Sequence, residues 1–365
     1  MTFKGFFVDD TLEDAVYARL LSSKISEGLD IEYLEVSEAT TLTNHIFNSA
    51  ANIVLLDFRL DENPKMINPT KAFKGSGLAQ LLRDKAMALP EKDFPVVLIS
   101  AEDKFRNFFR PDRTAHDLFD VAYGKDQASA NSKEIQQQLI SLCEGYRHFK
   151  LCWNADRMSV FSNDPDDLAY FDHQDITLNI REAAAPHIAA RAIMKNLIER
   201  NGILLTTSEA LARLGIDTSG RKELEDLLSR NNIAYNGIFS SGWPRWLAHR
   251  FEDFAESILN KRPSNLTGTE KCKILNDRTG SSFTPAASKW NQSSDEKFIF
   301  SCASCGAATE IRHSLSTYDP TCPRHGQRRR ICWDCVQTQK YIDRCLVIDE
   351  VDLSLAEEIK HMERN

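Results

Sequence analysis

The sequence has no apolar run that approaches the roughly 18 residues of a transmembrane helix. Its first ten residues, MTFKGFFVDD, contain one lysine and a short apolar stretch before two aspartates. A secretory signal has a basic start and a longer apolar centre, so this layout does not match one. We therefore expect a cytoplasmic protein without a membrane-embedded segment.

An excess of positive charge is missing as well. The formal net charge is -8 at pH 7, and most of the acidic excess falls in the first 150 residues. A domain that binds nucleic acid usually carries a basic patch. The basic run at 324–330 offers such a patch only locally, and a solvated loop is the competing explanation.

The chain has 365 residues, so its length predicts two or three domains. Its composition, 42% hydrophobic and 27% charged, is that of a globular protein and argues against extensive disorder. The predicted parts are a first domain at 1–150, a connector at 151–182, a helical domain at 183–260, a linker or long loop at 261–297, and a cysteine-containing module with a C-terminal helix at 298–365.

The first 150 residues alternate strand-like and helix-like patterns. The predicted strands are FKGFFV (3–8), IEYLEV (31–36), NIVLLD (52–57), FPVVLIS (94–100) and LFDVAYG (118–124). Stretches with helical spacing of leucine and isoleucine separate several of them. This alternation predicts an α/β domain, in which a doubly wound parallel sheet of five strands is covered by helices on both faces.

Polar residues stand at the carboxyl ends of the predicted strands. The first strand ends in Asp9 and Asp10, the third in Asp57 and the fourth in Ser100, and Lys125 follows the fifth. Ligands of doubly wound sheets bind at this edge. Three neighbouring carboxylates repel one another, and Mg²⁺ would offset that repulsion and leave positions for phosphoryl oxygens. The sequence therefore predicts a site for Mg²⁺ and a phosphoryl group.

Four short motifs, taken together, resemble the receiver domain of two-component response regulators. They are VDD at 8–10, LLDFRL at 55–60, LISA at 98–101 and YGKD at 123–126, and the resemblance covers residues 1 to about 150. It implies a flavodoxin-like receiver fold.

The resemblance also implies roles for the site residues. Asp57 would be the phosphoacceptor, Ser100 the switch hydroxyl and Lys125 the contact to the phosphoryl group. The implied Mg²⁺ ligands are Asp9, Asp10, Asp57 and the backbone carbonyl of Arg59.

Three features depart from the family pattern. Asp126 stands where the family usually has proline, and Ala122 stands at the usual aromatic switch position, with Tyr123 one place later. The loop after the third predicted strand, DENPKMINPTKAFKGS (61–76), is also longer than usual. These departures affect the switch coupling more than the phosphate chemistry.

The C-terminal module contains three pairs of possible zinc ligands. They are Cys302 with Cys305, Cys322 with His325, and Cys332 with Cys335. Tetrahedral Zn²⁺ needs four thiolates or imidazoles. The preferred ligands are the four cysteines of the first and last pairs, in a structural site similar to treble-clef or zinc-ribbon modules. Cys322 and His325 would replace either of these two pairs, or would bind a second ion together with His313 or Cys345.

Two segments between these parts have patterns of their own. ITLNI (176–180) is the strand predicted within the connector. TTSEALARLGIDTSGRKELEDLL (206–228) resembles a helix-turn-helix in outline, but the acidic residues of its second helix favour ordinary helix packing over DNA contact.

The leading hypothesis is a response-regulator-like signalling protein. It would accept a phosphoryl group on Asp57 from a histidine kinase or a related ATPase, and would transmit that state to the helical and zinc-binding output region through protein contacts. Its chemistry would be limited to phosphoaspartate formation and autodephosphorylation, so it would not be a metabolic enzyme. The alternatives are an adaptor with a phosphorylation-independent pseudo-receiver, and a transcriptional regulator that binds DNA through residues 186–345.

Overall fold

The computed structural model describes residues 2–23, 28–63, 71–110 and 114–362. Part of the long loop after the third strand, residues 64–70, lies outside the described residues. The chain forms two compact units: residues 1–195 with 236–243, and residues 196–235 with 244–365. The first unit therefore extends well beyond the predicted boundary at residue 150.

The first unit contains a parallel sheet of five strands in the order β2-β1-β3-β4-β5. The strands are β1 (Phe3–Asp9), β2 (Leu29–Glu35), β3 (Ile53–Leu56), β4 (Val96–Ser100) and β5 (Val121–Gly124). Gly5 of β1 lies opposite Ile31 of β2 and Ile53 of β3. This is the flavodoxin-like strand order, whose topological switch point lies between β1 and β3. The predicted fold class is confirmed.

The sheet is central because its strands are apolar on both faces. All four residues of β3 and all five of β4 are buried. Such continuous apolar runs suit strands covered by helices on both sides. The helices of this unit are α1 (Ala15–Leu21), α2 (Ala39–Asn48), α3 (Gly75–Ala88), α4 (Glu102–Lys104), α5 (Lys125–Ala130), α6 (Ser132–Cys152), α7 (Pro165–Phe171), α8 (Gln174–Arg181) and α9 (Pro186–Ile193).

The predicted connector is helical. ITLNI lies within α8, so its prediction as a strand is wrong. Ile176 and Ile180 are the buried residues of α8, and their spacing of four residues places them on one helical face. A short segment with two buried isoleucines four apart fits either element until its packing partners are known.

A buried polar network connects α9 to the sheet. Arg83 donates to Asp120 at 2.7 Å and lies 3.4 Å from Asp93, and both carboxylates precede strands. Tyr146 donates its hydroxyl to Asp120 at 2.6 Å, and the backbone N–H of His187, on α9, donates to Asp93 at 2.7 Å. Burial alone would lower the pKa of Arg83, but the Asp120 carboxylate raises it well above its ordinary value. The network explains why residues beyond 150 belong to the first unit.

The second unit combines helices with two-stranded sheets. Its helices are α10 (Thr207–Leu214), α11 (Arg221–Arg230), α12 (Ala248–Leu259), α13 (Gly268–Thr279), α14 (Trp333–Gln337) and α15 (Leu353–His361). Its antiparallel strand pairs are β6 (Leu204–Leu205) with β7 (Trp246–Leu247), β8 (Phe300–Ser301) with β9 (Ala308–Thr309), and β10 (Ser314–Ser316) with β11 (Arg330–Cys332).

The helix-turn-helix-like segment forms α10 and α11, joined by a turn at Gly215. This glycine has φ +64°, and a Cβ at this position would lie 2.7 Å from Gly268 Cα. Leu224 and Leu228 of α11 belong to the same apolar core as Leu275 of α13. These contacts match the ordinary helix packing that the sequence favoured.

Residues 261–297 do not form a linker throughout, because α13 lies within them. Lys271 of α13 is fully buried, and its Nζ donates to the carbonyl oxygens of Arg213 and Phe298 at 2.8 and 2.6 Å. Burial lowers the pKa of Lys271 to about 8. The few apolar residues of this segment are therefore part of the core of the second unit.

Candidate functional site: an acidic pocket and a four-cysteine cluster

Asp57 lies at the carboxyl end of β3 and is fully buried. Its Oδ1 accepts a hydrogen bond from Ser100 Oγ at 3.0 Å and lies 3.3 Å from Lys125 Nζ. Its Oδ2 accepts from the backbone N–H of Arg59 at 2.8 Å. The parallel register of β3, β4 and β5 brings these residues to one edge, as the sequence predicted.

Lys125 connects Asp57 to the acidic end of β1. Its Nζ lies 2.7 Å from Asp9 Oδ2 and 2.5 Å from Asp14 Oδ2. Burial alone would lower the pKa of Lys125, but the charges of Asp57 and Asp9 raise it. Burial, followed by repulsion from Asp57, raises the pKa of Asp9 to about 7. The carboxylates around Lys125 thus carry more negative charge than this lysine compensates.

Asp10 is held by the loop that follows β3. Its Oδ2 accepts the backbone N–H groups of Glu62 and Asn63 at 2.8 and 2.9 Å. Asn63 also donates its side-chain amide to the backbone carbonyl of Asp10 at 3.0 Å. The beginning of the unusually long loop is therefore part of the pocket.

Lys104 and Glu62 belong to the pocket, although sequence reasoning missed both. Lys104 Nζ lies 2.8 Å from Glu62 Oε2 and 3.6 Å from Asp57 Oδ2. Lys104 ends the short helix α4, four residues after Ser100. In the sequence, the only signal for Lys104 is its position four residues after Ser100, the last residue of β4.

A glycine allows the chain to pass close to Asp57. Gly75 is buried at the start of α3, and its N–H donates to the carbonyl of Phe58 at 2.8 Å. A Cβ at this position would lie 2.0 Å from the backbone oxygen of Asp57. The start of α3 can approach the end of β3 this closely only because Gly75 has no side chain.

The chemistry of the pocket suits a hard cation. Asp9, Asp10 and Asp57 are buried carboxylates, and burial, followed by repulsion from Asp57, raises the pKa of Asp9; a cation would offset that repulsion. Among the described residues, however, the three do not form one of the ligand sets whose atoms all lie within 4.8 Å of one another. The residue types nevertheless fit Mg²⁺. In this conformation Lys125 and Lys104 supply the positive charge of the pocket.

The aromatic residue beside the usual switch position points into the protein. Tyr123 is buried and donates its hydroxyl to Gln138 Oε1 on α6 at 2.6 Å. Asp126, in place of the usual proline, lies in the first turn of α5.

Four cysteines of the second unit form a cluster. The Sγ atoms of Cys302, Cys305, Cys332 and Cys335 all lie within 4.8 Å of one another, and three of the four residues are buried. The backbone N–H of Cys332 approaches Cys302 Sγ at 3.2 Å. Four converging thiols fit a structural Zn²⁺ site, and they are the four cysteines that the sequence favoured.

The thiols also share their protons unevenly. Contact with Cys302 lowers the pKa of both Cys305 and Cys335. Contact with Cys305 raises the pKa of Cys302, and contact with Cys302 raises the pKa of Cys332. Thiolates are the form that binds metal, so zinc binding by this cluster would release the protons of its thiols.

Cys322 and His325 lie outside this cluster. Cys322 Sγ has backbone carbonyls at 3.7 Å, and His325 Nε2 lies 3.2 Å from the backbone oxygen of Asn196. Cys345 is exposed and also lies outside it.

His313 belongs to a second set of possible ligands, with Glu296 and Glu310. His313 Nδ1 lies 2.5 Å from Glu310, and Arg312 pairs with Glu296. Each carboxylate is buried and has a cationic or protonatable side-chain partner, so we interpret the set as two side-chain pairs.

Comparisons with known proteins add the following. No protein-family model and no curated protein matches the chain. Among solved structures, the response regulator LqsR of Legionella pneumophila matches with 14% identity and a TM-score of 0.29, over 46% of this chain and 51% of LqsR. NtrX of Brucella abortus matches with 16% identity and a TM-score of 0.30, over 57% of this chain and 36% of NtrX. The matches therefore span about half of the first structure and about a third of the second.

The strand order and the pocket of the first unit agree with the sequence resemblance. The sheet has the order of flavodoxin-like folds, and the pocket brings Asp57, Ser100, Lys125 and Asp9 to its switch-point edge. The first unit thus has the fold of a receiver domain. Among the described helices, none is long and apolar enough to span a membrane.

Proposed function

We propose that the chain is a response-regulator-like signalling protein that accepts a phosphoryl group on Asp57. The observation that carries the proposal is the contact of Asp57 Oδ1 with both Ser100 Oγ and Lys125 Nζ, at 3.0 and 3.3 Å. A hydroxyl and a lysine beside one buried carboxylate supply the hydrogen bond and the charge that a phosphoryl group needs. A capping role for Asp57 alone would not need Lys125 or Asp9.

The proposed step is a phosphoryl transfer. A carboxylate oxygen of Asp57 attacks the phosphorus of the donor, an O–P bond forms, and the bond to the leaving group breaks with its electron pair. Lys125 offsets the added negative charge, and Ser100 donates a hydrogen bond to a phosphoryl oxygen. Asp9 and Asp10, with Asp57 and the Arg59 carbonyl, would hold Mg²⁺, whose charge neutralises phosphoryl oxygens when it is bound. Hydrolysis of the acyl phosphate would restore the carboxylate.

The proposal includes the partners and the second unit. A histidine kinase or a related ATPase would donate the phosphoryl group in the cytoplasm, and the helical and four-cysteine unit would provide the output through protein contacts. The cysteine cluster would hold Zn²⁺ as a structural ion, because four thiolates complete a tetrahedral coordination sphere and leave no open position.

Labelling of the full chain with acetyl phosphate and Mg²⁺ tests the proposal. We expect one phosphoryl group per chain by intact mass spectrometry, removed by hydroxylamine as an acyl phosphate would be. Asp57→Asn should abolish the label, while Asp30→Asn, which changes an exposed aspartate of β2, should leave it unchanged. Equal labelling of the Asp57→Asn protein and the parent would refute the phosphoacceptor assignment. An unlabelled parent would favour the pseudo-receiver adaptor.

A further inference from the structure

Lys104 is a charged side chain at the phosphoacceptor that none of the receiver-like motifs includes. Its Nζ lies between Glu62 Oε2, at 2.8 Å, and Asp57 Oδ2, at 3.6 Å. The Lys104 side chain is 16% exposed, so water screens its charge only in part. Burial alone would lower the pKa of Lys104, but Asp57 and then Glu62 raise it, so the side chain remains a cation.

The two oxygens of Asp57 face different cations. Oδ1 lies beside Lys125 at 3.3 Å, and Oδ2 lies beside Lys104 at 3.6 Å. Lys125 has two further carboxylates within 2.7 Å, so most of its charge is already compensated. Among the described residues, the close partner of Lys104 is Glu62, whose side chain is 42% exposed. A phosphoryl group would therefore displace Glu62 from Lys104 more easily than it would displace Asp9 and Asp14 from Lys125.

We infer that Lys104 is a second phosphoryl-binding lysine, held by Glu62 while Asp57 is unmodified and drawn to the phosphoryl group once Asp57 is phosphorylated. This inference rests on the proposed function. Phosphorylation replaces a single negative charge by a group with a charge of up to about -2 and additional acceptor oxygens. On Asp57 Oδ2, 3.6 Å from Lys104 Nζ, or on Oδ1 beside it, such a group would add acceptor oxygens within reach of this lysine. The exposed Glu62 carboxylate then becomes the weaker competitor.

The exchange would change how the loop after β3 is held. Glu62 contacts Lys104 and Arg59 through its side chain, at 2.8 and 3.7 Å, and Asp10 Oδ2 through its backbone N–H at 2.8 Å. Loss of the contact to Lys104 would leave the longer pair with Arg59 and the backbone contact. The beginning of the long loop would thus report the state of Asp57.

The first test compares labelling rates of full-length proteins with acetyl phosphate and Mg²⁺. Lys104→Met should lower the rate about 10-fold, less than the loss of a fully buried transition-state donor, since Lys104 is partly screened. Lys104→Arg should restore most of the rate, because it keeps the charge. The matched control is Lys133→Met, which removes an exposed lysine at the start of α6 and should behave like the parent.

The second test is a double-mutant cycle of Lys104 and Glu62. If Lys104 had only a structural role, the labelling rates would not show the coupling described next. Glu62→Gln should raise the labelling rate several-fold, because it removes the competitor for Lys104 and keeps the backbone N–H that holds Asp10. In the Lys104→Met background the same change should have no effect.

The outcomes separate this inference from the proposed function. Labelling that needs Asp57 but is unchanged by Lys104→Met would leave the proposed function standing and overturn the role of Lys104. Lower labelling in Glu62→Gln, or equal effects of Glu62→Gln in both backgrounds, would also overturn it. A parent that takes no label would overturn both.

Discussion

Neutralising Asp9 should stabilise the protein, and the gain should grow with pH. Burial and the neighbouring Asp57 raise the pKa of Asp9 from 3.8 to about 7 in the folded chain. A raised pKa means that the folded state binds this proton more tightly than the unfolded state does. Below pH 3.8 the carboxyl is protonated in both states and costs no stability. Between pH 3.8 and 7 the unfolded state loses this proton while the folded state keeps it, so the free energy of unfolding falls as the pH rises.

The size of the gain follows from the difference between these two pKa values. At about 1.4 kcal/mol per pH unit, the penalty is on the order of 4 kcal/mol at pH 8 and about 1–2 kcal/mol at pH 5. Asp9→Asn keeps a side chain of similar shape and removes the charge. Its free energy of unfolding should therefore exceed that of the parent by amounts of this order at the two pH values.

Urea unfolding of the full chain at pH 5 and pH 8 measures this effect, with hydrogen exchange of β1 and β3 peptides to follow the first unit. Asp30→Asn, on the exposed side of β2, should give no gain at either pH. A gain of equal size at both pH values would contradict the ionisation argument. Destabilisation at pH 8 would show that the contact between Asp9 and Lys125 outweighs the cost of the buried charge.

Three further predictions follow from contacts elsewhere in the two units. Gly75→Ala should lower the free energy of unfolding by about 1–3 kcal/mol in urea melts and reduce Asp57 labelling, since its Cβ would lie 2.0 Å from a backbone oxygen. Asp120→Asn should lower the free energy of unfolding by about 3–5 kcal/mol, because buried Arg83 loses the carboxylate charge that lies 2.7 Å away. An unchanged urea midpoint would contradict this. Cys332→Ser should abolish the bound zinc measured by atomic emission, whereas Cys322→Ser should retain it; equal losses would place the ion elsewhere.

The sheet and the centre of the pocket could be predicted because their signals are local. Four of the five predicted strands end in a polar residue of the pocket or are followed by one, and parallel pairing brings the carboxyl ends of such strands to one edge. Asp57, Ser100 and Lys125 therefore needed only the strand order to come together. The four cysteines were favoured by paired spacing in the same way.

The extent of the first unit could not be predicted in this way. It depends on Asp93, Asp120 and His187, which are far apart in sequence and form a network only after the sheet and α9 have packed. The same limit applies to α13, where Lys271 and Cys272 look polar in sequence but are buried in the structure. Nothing in a Ser- and Asn-rich composition distinguishes a covered helix from a loop.

The long loop after β3 is the clearest departure from the receiver pattern, and its described beginning is bound to the site. Among the described residues, Asp10 Oδ2 accepts two backbone N–H groups, from residues 62 and 63, and Oδ1 accepts a hydrogen bond from the Thr11 hydroxyl at 3.3 Å. A cation held by Asp10 would therefore share this carboxylate with the loop. Because Glu62 also contacts Lys104, the described beginning of this loop joins Asp10, a proposed Mg²⁺ ligand, to the proposed second phosphoryl-binding lysine.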